Sequence, residues 1–216
     1  MRSYNHAIKI SVFLALAALL IAMPAWISVL NLSPFHGRPI DKPAPAFKLV
    51  DFSGNPVGLE NFRGRYVFLF FGYGNCGTIC PRTLGSLAGL GQAEDIAGLD
   101  ITIAFVSIDP RRDTQSRSTF ARLFEETRLS FVALRGGDGQ VRKVAADYGV
   151  FYDARADYAV RDDRGIQHPM IAHLIDPEGV LRLTYTSNIV PREVVEDLNR
   201  IASTFRPGVD MAIRNQ

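Results

Sequence analysis

Cysteine is scarce in this chain: the 216 residues hold two, Cys76 and Cys80, so any thiol chemistry rests on a single pair. Neither sign of charge is in excess. Lys and Arg number 24 against 22 Asp and Glu, a formal net charge of +2. The basic residues are scattered mostly one at a time, with no stripe interleaved with aromatics. That pattern carries no nucleic-acid footprint. No internal repeat or low-complexity tract interrupts the chain. What remains, 47% apolar, is enough for one domain with a real core plus appendages.

Charge disappears altogether between residues 10 and 30. A helix over that run rises about 30 Å, the thickness of a bilayer's hydrocarbon core. Arg2 and Lys9 precede it and Trp26 lies near its far end, where an interfacial aromatic sits. The positive-inside rule then keeps the N-terminus in the cytoplasm and sends the rest across. A cleaved signal peptide is the rival reading. The run is long for one, and Ala22-Met23-Pro24-Ala25 is a poor cleavage site, so an uncleaved anchor is expected. Either way the domain lies outside the cytoplasm, where two thiols oxidise to a disulfide unless a partner keeps them reduced. The expected organisation is a cytoplasmic N-terminus (1–9), a transmembrane anchor (10–30), an extended linker (31–45), a folded domain (46–205) and a loose tail (206–216). Four prolines, Pro34, Pro39, Pro43 and Pro45, mark the linker.

Strands and helices alternate after the linker. A hairpin is expected from Phe47 to Leu59 around Ser53-Gly54-Asn55, then buried strands at residues 66–71 and 101–108. Helices are expected at 82–97, from a Thr114 cap to about 127, at 140–148 and from Pro191 to about 205. A short strand is expected at 131–134, and a charged loop at 153–167 leads to a closing hairpin, 170–176 and 180–185. The result is an α/β layered domain whose apolar strands suit the middle of a partly parallel sheet. In such sheets ligands bind beyond the carboxyl ends of the strands.

The cysteines fall there. Phe71-Gly72-Tyr73-Gly74-Asn75-Cys76-Gly77-Thr78-Ile79-Cys80-Pro81 joins the first buried strand to the first helix. A helix N-terminus lowers a thiol's pKa and favours thiolate. Thiolates bind soft metal ions and attack disulfides. Three intervening residues let both sulfurs reach one point, as a disulfide or as two ligands of one ion. Gly72, Gly74 and Gly77 argue for an exposed, tightly turned loop over two inert buried cysteines.

Two thiolates leave a copper(I) ion short of a comfortable shell, and of the four histidines His168 and His173 lie at the closing hairpin. Alternation puts His168 and Met170 on one face and His173 on the other. Composition alone does not choose between them.

Three motifs together resemble the SCO/SenC family: Phe71-Gly72-Tyr73-x-x-Cys76-x-x-x-Cys80-Pro81, Ser107-Ile108-Asp109-Pro110-x-x-Asp113-Thr114, and His168 six residues before Leu174-Ile175-Asp176-Pro177-x-Gly179. The resemblance runs from about residue 42 to 205. It implies a thioredoxin-like fold behind a single N-terminal transmembrane helix and a site for copper at Cys76, Cys80 and His168, selecting His168 over His173. It implies Asp109 and Asp113 as supporting residues only, which also suit capping of the next helix. Gly77 and Pro169 depart from the family's usual residues without removing a ligand.

The function so implied is a copper chaperone on the inner (cytoplasmic) membrane, its domain facing the periplasm or cell exterior. It would deliver copper to the dinuclear site of a cytochrome c oxidase subunit, with a thiol reductant as second partner. The alternative is an enzyme, a thiol-disulfide oxidoreductase in which Cys76 attacks and Cys80 resolves. A peroxidase is disfavoured, because Pro-x-x-x-Thr-x-x-Cys is absent around Cys76.

Overall fold

Two unbroken apolar runs form the centre of the sheet. β4 (Tyr66–Gly72) and β5 (Ile101–Ser107) are buried at every position, as strands covered on both faces must be. They pair in parallel from Tyr66↔Ile101 to Gly72↔Ser107, so their carboxyl ends finish side by side. The computed structural model describes residues 12–14, 16–19, 33–74, 76, 77, 79–96, 98–113, 120–152, 169–186 and 188–204. Six more strands complete an eight-stranded sheet: β1 (Arg38–Pro43), β2 (Lys48–Asp51), β3 (Pro56–Gly58), β6 (Ser130–Arg135), β7 (Ala172–Ile175) and β8 (Val180–Tyr185). Their order across the sheet is β1-β8-β7-β4-β5-β6-β2-β3. β6 runs parallel to β5 and β7 antiparallel to β4.

Alternation along β4 sorts the core into two layers. Tyr66, Phe68 and Phe70 face one, together with α1 (Ile79–Gly89) and α3 (Pro191–Thr204). α1 buries Cys80, Leu84, Leu87 and Ala88, the stripe of an amphipathic helix. Val67, Leu69 and Phe71 face the other layer, where α2 (Asp138–Asp147) lays down Val141, Val144 and Ala145. Left-handed Gly149 (φ 74) ends α2 and turns the chain back, with the Val150 N–H donating to Ala145 O at 2.8 Å.

Two expectations need correction. Residues 38–43 lie in the stretch read as a linker, and they are extended, but β1 pairs antiparallel with β8 as the edge strand. Edge strands carry prolines and charges because one side of the ladder stays unpaired, so an edge resembles a linker in sequence. A buried carboxylate fixes its start: Asp197 on α3 accepts the N–H groups of His36 (3.0 Å) and Gly37 (2.9 Å) and the Tyr185 hydroxyl (2.9 Å). The helix expected to reach residue 97 stops at Gly89 and continues as 3-10 turns, Leu90–Gln92 and Glu94–Ile96. Gly91 there packs so close to Thr127 that a Cβ would come within 2.6 Å of it. The Arg128 guanidinium donates to the carbonyls of Gly91 and Ala93, both at 3.2 Å, which an α-helix would have used itself.

The chain divides into two compact units, Met1–Pro34 and Phe35–Gln216. In the first, residues 12–14 and 16–19 are helical. Among the described residues no helix is long and apolar enough to cross a membrane. The expected Thr114 cap and the charged loop at 153–167 lie outside the described residues.

Candidate metal centre

The site grows from the strand end. β4 closes on Gly72, and the chain turns through Tyr73 and Gly74, with the Cys76 N–H donating to Tyr73 O at 3.3 Å. α1 starts at Ile79, so Cys80 lies in its first turn and is fully buried, while Cys76 stays half-buried in the turn ahead of it. Both are thiols. The Cys80 N–H, one of the helix's unshared donors, points to Cys76 Sγ at 3.3 Å. The head of α1 is thus aimed at the more exposed sulfur, as helix N-termini are aimed at anions.

Glycine at position 72 is what lets the second sulfur in. A Cβ there would lie 2.9 Å from the Phe105 ring and 3.1 Å from Cys80 Sγ. Its hydrogen bond to Cys76 and then its burial push the Cys80 thiol well above the ordinary thiol range. Burial thus opposes the thiolate that a helix head favours at Cys80, and a metal bound at the pair would have to displace that proton.

The two aspartates divide their work. Asp109 accepts Arg112 Nε at 3.2 Å, and its carbonyl takes the N–H groups of Arg112 (3.1 Å) and Asp113 (3.0 Å), which closes its own turn. Asp113, 4% exposed, reaches away from that turn. It accepts the Ser107 hydroxyl at 2.6 Å and the Gly74 N–H at 2.8 Å. Burial pushes its carboxyl above the usual range, and the Ser107 and Gly74 hydrogen bonds pull it back. The resemblance implied Asp113 as a supporting residue and left capping of the next helix open; the contact that ties it to the cysteine turn, the Gly74 N–H, was not foreseen. The signal was available: Gly72 and Ser107 end adjacent parallel strands, so the turns that follow them must meet.

His173 is on the opposite face. It pairs with Leu69 across the sheet and is 2% exposed, its ring 6.4 Å from Phe71 and 5.4 Å from Tyr148. Among the described residues neither ring nitrogen has a hydrogen-bond partner. Burial first, then the charge of Lys42, lowers its pKa to about 4. Met170 packs into the cysteine layer instead. His168 lies outside the described residues. Among the described residues no cluster of three or more His, Cys, Asp or Glu is arranged to hold a metal. The two thiols are soft donors, and they suit a soft ion such as copper(I).

A mixed α/β sheet with a dithiol between its central strand and the following helix defines a thioredoxin-like protein. The family profile of SCO1/SenC matches residues 38–203, and the chain belongs to that family. It is 32% identical over 134 residues to the mitochondrial protein SCO2 of Saccharomyces cerevisiae, covering 62% of this chain and 44% of that protein. It is 28% identical to an SCO2-like protein of Rickettsia prowazekii, covering 69% of this chain and 72% of the relative. The chain thus spans less than half of the yeast relative's length. Among solved structures, Sco1 of Thermus thermophilus in its apo form superposes with a TM-score of 0.64 at 30% identity, covering 77% of this chain and 96% of that one. ScoI of Arabidopsis thaliana with copper bound also gives 0.64, at 25% identity, covering 75% of this chain and 99% of that one.

Proposed function

We propose that this protein binds one copper(I) ion between Cys76 and Cys80, with His168 as third ligand, and delivers it to the dinuclear copper site of a cytochrome c oxidase subunit. The observation that carries the reading is the pair itself. One sulfur is buried and one half-exposed, both at the head of α1, with the Cys80 N–H turned to Cys76. A buried ligand retains the ion while an exposed one yields it to an incoming ligand, which is what transfer by ligand exchange needs. The copper bound in Arabidopsis ScoI supports the choice of metal. Strand parity supports His168: Ala172, Leu174 and Met170 belong to the cysteine layer, and 168 shares their parity.

Residues 10–30 anchor the protein as a single pass in the inner (cytoplasmic) membrane, its folded domain, β1 included, facing the periplasm or cell exterior. A thiol reductant on that side keeps the pair able to bind. The second reading is a thiol-disulfide oxidoreductase acting on a cuproprotein's cysteines. The same asymmetry favours it, since an exposed Cys76 can attack and a buried Cys80 resolve. The test is a copper(I) titration of the reduced and the oxidised protein against a competing chelator. Tight one-to-one binding by the reduced form alone supports delivery. Rapid reduction of a disulfide substrate without copper affinity supports the enzyme.

A further inference from the structure

The half-exposed thiol sits on a turn, and a turn needs something to hold it. β4 and β5 end abreast at Gly72↔Ser107, and the Ile108 N–H extends the ladder by donating to Gly72 O at 2.8 Å. Beyond that point the two chains diverge into the cysteine turn and the Asp109–Asp113 turn. One side chain spans them. Asp113 uses one carboxylate oxygen for the Ser107 hydroxyl at its own strand end and the other for the Gly74 N–H, two residues before Cys76. A carboxylate accepting an N–H makes a bond roughly twice as strong as a neutral one. At 4% exposure, water competes little for it. Asp109, four residues earlier, turns its carboxylate to Arg112 on the same turn.

We infer that Asp113 is the positioning residue of the dithiol: through Gly74 it fixes the turn that carries Cys76, and so the distance at which Cys76 meets Cys80. The inference rests on the proposed copper role for its main readout, but the thiol pair itself gives a second one. An amide in place of the carboxylate can still accept the Gly74 N–H through its oxygen and donate to Ser107 Oγ through its nitrogen, so Asp113→Asn keeps both contacts as neutral bonds and loses the charge that strengthens them. Ser107→Ala removes the hydroxyl and leaves the bond to Gly74. Ser107 Oγ also accepts the Asp109 N–H at 3.2 Å, so in the Asp113→Ala background Ser107→Ala costs further stability, but it removes no further contact to the cysteine turn and should not lower copper(I) affinity again.

The experiment uses the full-length protein in detergent, reduced, with variants Asp113→Ala, Asp113→Asn, Ser107→Ala and the Ser107/Asp113 double alanine. Asp109→Ala and Asp176→Asn are the controls. Asp176 is buried too, but it sits beyond β7 at the other end of the sheet, held by Arg182 Nε at 2.6 Å. Copper(I) affinity, the equilibrium of the Cys76–Cys80 disulfide with glutathione, and thermal unfolding are measured for each. Asp113→Ala should weaken copper(I) about 10- to 100-fold, the range for losing an outer hydrogen bond that orients a ligand. It should disfavour the intramolecular disulfide by a similar factor. Asp113→Asn should lose less and Ser107→Ala least, with the double variant no weaker than Asp113→Ala. Asp176→Asn should unfold earlier with copper affinity and disulfide equilibrium within about twofold of the parent protein.

Parent-like copper affinity and disulfide equilibrium in Asp113→Ala would overturn the inference. So would losses that follow thermal stability alike in Asp113→Asn and Asp176→Asn. If Asp113→Ala does not fold, Asp113→Asn and Ser107→Ala decide the matter on the same criteria. If the parent protein binds no copper(I), the delivery role fails, and the disulfide equilibrium alone decides the role of Asp113.

Discussion

On one face of the sheet Cys80 is buried beside a glycine, and its own N–H meets the neighbouring sulfur. On the other face His173 is buried nearly as deeply, and among the described residues its ring nitrogens have no hydrogen-bond partner. Both side chains bind metals in principle. The difference lies in what surrounds them. The cysteines stand at a strand end, against a helix head, with a carboxylate tied to their turn. His173 stands within β7 between Phe71 and Tyr148, where a charge has no partner and the neutral ring behaves as core. Burial alone does not make a site; supply of donors and an open side do.

The comparison breaks most visibly at the exposed thiol. Cys76→Ser should abolish one-to-one copper(I) binding, a loss beyond about 100-fold, because a hydroxyl is no soft ligand. The helical signal in circular dichroism should be unchanged. Retained tight binding would remove the dithiol from the site.

The histidine face should declare itself through pH. In the unfolded chain the His173 ring takes a proton near 6.5, whereas in the folded protein burial and Lys42 hold that event down to about 4. Between those values the unfolded state binds the extra proton, so stability is full above pH 6.5 and falls as the pH drops. The loss across the window is roughly 3 kcal/mol. Chemical unfolding at pH 7 and pH 4.5 should show it, and His173→Leu should flatten that slope while leaving copper(I) affinity alone. An equal slope in His173→Leu would assign the acid sensitivity elsewhere.

A smaller effect comes from Gly72→Ala. The new methyl would press on Phe105 and Cys80 Sγ at once, and overpacking of this kind costs about 1–3 kcal/mol. Because one of the crowded atoms is the buried sulfur, copper(I) affinity should fall along with the melting temperature. A melting shift without an affinity shift would mean that the ring yields and the sulfur stays put.

Much of this was legible in the sequence because it is local. The apolar runs ending at Phe71 and Ser107, the turn at Ser53-Gly54-Asn55 and the Pro177-x-Gly179 hairpin each announce their structure within a few residues. The cysteine turn is legible for the same reason: strand, glycines, cysteines and helix are contiguous. What stayed hidden depends on partners far along the chain. β1 read as a linker because its prolines and charges make sense only once β8 lies beside it and Asp197 holds Gly37. Helix α1 ends at Gly89 because Thr127 and Arg128 come to meet the residues after it. Asp113 was implied as a supporting residue, but how it supports stayed hidden because its partner, the Gly74 N–H, is 39 residues away.

The central claim is that copper belongs to the cysteine face alone, and the two histidines of the closing hairpin test it against each other. Copper(I) affinity of reduced His168→Ala and His173→Ala, measured by chelator competition, is the decisive comparison. The account predicts a loss of more than about 100-fold in His168→Ala, beyond what an outer hydrogen bond is worth to a metal site, and an affinity within about twofold of the parent in His173→Ala. Loss in His173→Ala with retention in His168→Ala would contradict it, since the ligand would then have to come from the face where His173 lies between Phe71 and Tyr148.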